Sequence, residues 1–155
     1  MFKPLEQFIC DSCGQIIEKP KDGWFEWISS SDNSSNMPID SEFRICHHNS
    51  NCQIHSRRRG CSDVHLSDFL GHTGIINLLS MLDPGPYHAP DYHGPSVNNF
   101  REFTEIARRL TIPHYEEARQ WWSDATNDGY FDDINEIAIY QPSYLKAMIE
   151  HYSKQ

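Results

Sequence analysis

Apolar residues alternate with a period of two over the first part of the chain and recur at helical spacing from residue 66 onward. The first period puts every second side chain on one face of a strand; the second makes a stripe along a helix. Residues 7–9 and 15–18 read as short strands on either side of a tight turn at 10–14. Lys19-Pro20-Lys21-Asp22-Gly23 carries the Pro and the Asp-Gly of a turn. Within residues 23–29, Trp24, Glu26 and Ile28 fall on one face and Phe25 and Trp27 on the other. Both faces are largely apolar, which predicts a central strand rather than an edge. A polar loop over 29–35 leads to residues 42–48, Glu-Phe-Arg-Ile-Cys-His-His, which alternate again. Residues 53–63 read as an irregular, basic, Ser-rich loop.

Residues 67–71 look like one turn, and Thr73 suits the N-cap of a helix over 74–82. Ile75, Ile76, Leu78, Leu79 and Leu82 form its expected apolar face. Asp83-Pro84-Gly85-Pro86 stops it, and residues 83–95 read as a loop in which Tyr87-His88 and Tyr92-His93 repeat a dipeptide. A helix is expected over 97–110 with Phe100, Phe103, Ile106, Ala107 and Leu110 as its stripe. Pro113 breaks it and suits the first turn of a helix over 114–125, with Ala118, Trp121 and Trp122 inward. Asn127-Asp128-Gly129 ends that helix, and Pro142–Tyr152 is the last, with Tyr144, Leu145, Met148 and Ile149 inward. The pattern predicts an α+β fold: a small antiparallel β-sheet followed by three to four packed α-helices. Residues 1–65 form the β subdomain, and residues 66–155 form a helical subdomain that shares one core with it.

At 155 residues the chain suits one domain, or two small layers around one core. It has no run of about 18 apolar residues, which argues against a membrane span. The first seven residues lack the basic-then-apolar layout of a signal peptide, so the expected location is the cytoplasm. In that reducing compartment clustered cysteines bind metal more often than they pair, and five is an odd count. No disulfide is therefore expected. Net charge is −9, distributed as −2 over residues 1–65 and −7 over 66–155. An acidic surface opposes non-specific binding to nucleic acid or anionic membrane. Arg57-Arg58-Arg59 is a short basic exception, read as a solvated loop.

Two separated arms carry the candidate chemistry. Cys10-Asp11-Ser12-Cys13-Gly14 has the shape of a zinc knuckle, two thiolates each about 2.3 Å from one ion. A redox Cys-x-x-Cys would open a helix after a strand; here Gly14 and a second short strand follow. The other arm is Cys46-His47-His48-Asn49-Ser50-Asn51-Cys52. Cys52 is the expected third ligand, and Cys46, His47 and His48 compete for the fourth place. Three residues separate His48 from Cys52, four separate His47, and five separate Cys46, which is looser than most knuckles. His48, at the turn, is preferred over Cys46, on the strand. The expected site is one structural Zn²⁺ held by Cys10, Cys13, His48 and Cys52, with His55, Cys61 and His65 outside it. A small antiparallel sheet with a knuckle at each end of its outer strands resembles the zinc-ribbon and treble-clef class over residues 7–52. That resemblance implies a zinc-stapled sheet.

Residues 124–135 approach a calcium loop, with Asp124, Thr126, Asp128, Gly129, Phe131 and Asp132 in register. Asn135 stands where the bidentate Glu belongs, so an acidic capping turn is expected instead. No Gly-rich phosphate loop, nucleophile elbow or catalytic carboxylate pair is visible. The sequence thus points to a zinc-binding interaction or regulatory module without enzymatic activity, acting through a protein partner. The competing reading is a metal-dependent nuclease of the His-Asn-His kind, built on His47, His48 and Asn49 at a strand end. The downstream Asn and His helix of that kind has no counterpart here.

Overall fold

The computed structural model describes residues 1–31, 38–54, 60–85 and 96–154. The polar loop beyond Ser31, His55, Arg57-Arg58-Arg59 and the Tyr87-His88 and Tyr92-His93 motifs lie outside the described residues. The architecture is mixed α+β, small antiparallel sheets with helices packed on them, as expected. Strands β1 (Phe8–Ile9) and β2 (Ile16–Ile17) pair as a two-stranded ribbon, with Phe8 opposite Ile17. Strands β3 (Gly23–Ser31), β4 (Pro38–His47) and β5 (Cys61–His65) form an antiparallel sheet in the order β4-β3-β5.

The central strand is β3, and its two covered faces follow from its composition. Phe25 is fully buried, with its ring 6.0 Å from Phe43 and 4.4 Å from Phe69. On the opposite face Glu26 is also fully buried, and its carboxylate accepts the Ile54 N–H. Strand β5 falls where an irregular loop was expected. Cys61-Ser62-Asp63-Val64-His65 contains one aliphatic residue and none is fully buried. It is a strand because β3 offers it a free edge, with Trp24 opposite His65 and Ile28 opposite Cys61; its own propensity contributes little.

Five helices follow among the described residues: α1 (Gly71–Leu82), α2 (Phe100–Thr111), α3 (Tyr115–Ala118), α4 (Trp122–Asn127) and α5 (Pro142–Tyr152). Helix α1 starts three residues before the expected 74–82 helix and has no side-chain cap, so Thr73 does not serve as one. Its buried side is also not the expected one. Gly74 and Leu78 are buried and Met81 packs on the core, a stripe at i, i+4 and i+7. Ile75, Ile76 and Leu79 are left 46, 62 and 58% exposed. The cause is Gly74: a side chain there would strike the Phe69 carbonyl, so the bare glycine is the point of closest approach. The helix turns that point inward and carries its largest aliphatics away from the core.

Helix α2 is capped by Asn99, whose side-chain oxygen accepts from the Arg101 and Glu102 N–H groups. Phe103, Ile106 and Leu110 of the expected stripe are buried, while Phe100 stays exposed. The single helix expected over 114–125 is instead two, α3 and α4, joined through a 3₁₀ turn at Arg119–Trp121. His114 enters it in a left-handed conformation at φ 70°. The break turns Glu116 and Glu117 inward, where their carboxylates accept the N–H groups of Ile9 and Phe2. Buried apolar side chains form two clusters: the sheet with α1 and α2, and α3 to α5 around Ala118, Leu145, Met148 and Ile149.

Replacing a helical Gly by Ala usually stabilises by about 0.5–1 kcal/mol. At Gly74 the new Cβ would lie 2.1 Å from the Phe69 carbonyl carbon and oxygen. Gly74→Ala is therefore expected to lower stability by about 1–3 kcal/mol, read from the urea midpoint. A midpoint that rises would show that α1 does not rest on Phe69.

Candidate metal centre

The first arm folds as a knuckle between β1 and β2. The Cys10 N–H donates to the Gln15 carbonyl at 2.9 Å, and the Gly14 N–H donates back to the Cys10 carbonyl at 2.9 Å. Gly14 closes the turn at φ 72°, a conformation that favours glycine. The second arm begins as β4 ends. Asn49 organises it, its side-chain oxygen accepting the Asn51 and Cys52 N–H groups at 3.1 Å each. The Ser12 hydroxyl ties the arms together by donating to the Cys52 carbonyl.

Cys10, Cys13, His47 and Cys52 converge, with one ligand atom from each lying within 4.8 Å of all the others. His47 Nδ1 is 3.5 Å from Cys13 Sγ and 4.0 Å from Cys52 Sγ. Bond lengths of about 2.3 Å to sulfur and 2.0 Å to nitrogen put tetrahedral S···N edges at about 3.5 Å. The cluster has the size of one such coordination shell and could hold a metal ion. His47 Nε2 lies 3.2 Å from the Ile16 carbonyl. A proton on Nε2 donated to that carbonyl leaves the Nδ1 lone pair facing the sulfurs, the outer contact typical of a ligating histidine.

The electrostatics agree. Burial pushes the Cys10 thiol up, but backbone N–H groups of His47, Cys13 and Ser12 outweigh it and bring the group down to about 6. Cys52 is pushed up to about 11 by burial and by its contacts with Cys10 and Cys13. Several thiolates on one point repel each other unless a cation joins them. All five cysteines are free thiols.

Cys10, Cys13 and Cys52 were expected in this set; the fourth member is His47 and not His48. Strand parity explains the difference. Cys46 lies opposite Trp24, so residues 46 and 48 share the Trp24 face, and residue 47 faces the other way. The His48 ring meets Trp24 edge-on at 4.7 Å and lies 5.9 Å from His65. His65 stacks on Trp24 at 4.5 Å. The Cys46 thiol is hydrogen-bonded to Glu26, and burial pushes it far above its usual range. In the acidic turn the Asp128 carboxylate accepts the Tyr152 hydroxyl at 3.3 Å.

Sequence reasoning passed over Asp11, Arg109 and Glu116. Asp11 sits inside the knuckle, and its N–H and carboxylate bond both backbone groups of Ile45. Arg109, 4% exposed on α2, holds the Asp11 carboxylate at 2.8 Å and that of Glu116 at 2.7 Å. Its fifth contact is the Ile9 carbonyl at 3.1 Å. Burial opposes the Arg109 charge, but Glu116 and Asp11 more than offset it and raise its affinity for the proton. Nothing in the sequence pairs these residues, since 98 positions separate Asp11 from Arg109.

Comparison with protein-family models, with curated protein sequences and with solved structures finds no match for this chain.

Two predictions test the centre. His47→Ala is expected to lose bound metal in elemental analysis, while His48→Ala keeps it; the reverse pattern would give the fourth position back to His48. Arg109→Met removes the buried cation between Asp11 and Glu116 and leaves them the longer contacts to Arg119, at 3.4 and 3.3 Å. It is expected to cost about 3–5 kcal/mol in urea unfolding, and a loss below about 1 kcal/mol would reduce the network to a surface contact.

Proposed function

We propose that the chain is a zinc-binding interaction or regulatory module without enzymatic activity, and that its zinc is structural. The observation that carries this reading is the convergence of three cysteines and one histidine on a single point. Three sulfurs and one nitrogen suit zinc, and four protein ligands leave no position for water or substrate. The alternative, a His-Asn-His-like nuclease, needs an imidazole free to activate water. His47 has one nitrogen toward the sulfurs and the other on the Ile16 carbonyl, and His48 packs on Trp24. A reducing compartment such as the cytoplasm would keep the thiols available.

The interaction part of the reading draws on α1. A groove of about 310 Å³ is lined by Ile75, Leu78, Leu79, Leu82, Phe103 and Ala107, with Thr111 at its end. Ile75 and Leu79 are largely exposed there, and Ile76 beside them. Large aliphatics grouped in water on one helix mark a surface that a protein partner would cover. No described helix is long and apolar enough to cross a membrane.

Protein purified without chelator is expected to contain about one zinc per chain. Stripping the metal should open residues 8–17 to protease before α5, because the two-stranded ribbon is too short to hold itself. Supercoiled plasmid incubated with Mg²⁺ should remain intact. Zinc below about 0.1 per chain rejects the structural-zinc reading, and nicked plasmid favours the nuclease.

A further inference from the structure

A cleft of about 610 Å³ that contains none of the cluster residues is lined by Arg101, Arg108 and Arg119 with Tyr115, Trp122 and Tyr140, and by Glu102 and Glu105. Its size is within the range of about 300–1,000 Å³ of small-molecule sites. Its charge runs against the rest of the protein. The chain carries −9, yet three of the five arginines among the described residues line this one cleft. Arg119 is held by Asp11 and Glu116. Arg101 and Arg108, two turns apart on α2, have no carboxylate within ion-pair distance among the described residues.

The two carboxylates of the wall are already engaged by protein donors. Glu102 accepts the Phe43 N–H at 2.8 Å, and Glu105 accepts the Tyr115 hydroxyl at 2.5 Å. Aromatic surface completes the cleft. The Trp122 and Tyr140 rings lie within 14° of parallel with centroids 6.0 Å apart, and the Arg108 guanidinium sits 4.0 Å above Tyr140. Neither ring is fully buried. A second cleft of about 590 Å³ adjoins, with Arg108 and Tyr140 as the shared wall.

We propose that this cleft binds a small anion built on a flat unsaturated ring, the anionic group going to Arg101 and Arg108 and the ring to the aromatic wall that Trp122 and Tyr140 form. Each half has a physical reason. An anion gives Arg101 and Arg108, neither of them ion-paired among the described residues, a charge-assisted partner. A planar ring stacks on an exposed aromatic face without regard to its identity. A nucleoside monophosphate and an aromatic carboxylate share this chemistry. The site is independent of the zinc reading, because none of the cluster residues lines it.

The test is calorimetric titration of the full chain with adenosine monophosphate, indole-3-acetate, adenosine and inorganic phosphate. At least one of the two ring-bearing anions is expected to bind with Kd below about 1 mM. Which one binds identifies the source of the ligand. Adenosine and phosphate should each be about tenfold weaker or worse, since each lacks half of the recognition. Arg108→Gln and Arg101→Gln should weaken binding by a similar factor while metal content and urea midpoint stay unchanged. The proposal fails if neither ring-bearing anion binds below about 1 mM. It also fails if adenosine or phosphate alone binds as tightly as the anion that carries a ring, or if both arginine variants bind normally.

Discussion

Arg109 is 4% exposed, and each of its three nitrogens has an acceptor: Nη1 on Asp11, Nε on Glu116, and Nη2 on Glu116 and the Ile9 carbonyl. A guanidinium taken out of water costs several kcal/mol, so such a residue persists only where every donor is met. Meeting them fixes three parts of the chain at once. Glu116 also accepts the Ile9 N–H, so Arg109 and Glu116 together satisfy both backbone groups of Ile9 as a neighbouring strand would. Asp11 does the same for Ile45 of β4. Side chains thus take the place of a neighbouring strand for Ile9, and the Asp11 carboxylate and N–H together do so for Ile45.

That constraint accounts for features that look irregular in isolation. Glu116 can reach Arg109 only if the chain reverses within the seven residues that separate them. Pro113 and the left-handed His114 supply that reversal, and α3 is short because its acidic residues must face inward. Glu117 extends the arrangement by accepting the Phe2 N–H. A helix of regular length over 114–125 would satisfy the apolar pattern but not these polar groups.

Much of the fold was legible because it rests on local rules. The central place of β3 follows from its two apolar faces, and Pro142–Tyr152 begins at a proline and ends where the apolar stripe ends. The Cys10 and Cys13 knuckle was visible from spacing and Gly14. What was not legible depends on partners distant in sequence. β5 exists because β3 has a vacant edge, and the inward side of α1 is chosen by a glycine against the Phe69 backbone. The choice between His47 and His48 needed the register of β4 against β3, which puts Cys46 opposite Trp24. Spacing alone allowed both histidines; the register places His47, and not His48, beside the three cysteine sulfurs.

The Arg109 network and the cysteine cluster meet in one turn, residues 10–13, so each bears on the geometry of the other. Asp11 is the neighbour of Cys10; of the backbone N–H groups that draw the Cys10 thiol down to about 6, that of His47 comes from the second arm and those of Cys13 and Ser12 come from the turn that aims Asp11 at Arg109. Ser12 links that turn to the Cys52 carbonyl and accepts from Arg44 of β4. Any ion that draws Cys10, Cys13, His47 and Cys52 together must also set the position of the Asp11 carboxylate. By linkage, whatever the ion contributes to holding Asp11 on Arg109, the helices return as affinity for the ion. The knuckle, exposed at Cys13 and only a few residues long, therefore gains rigidity from the helical lobe.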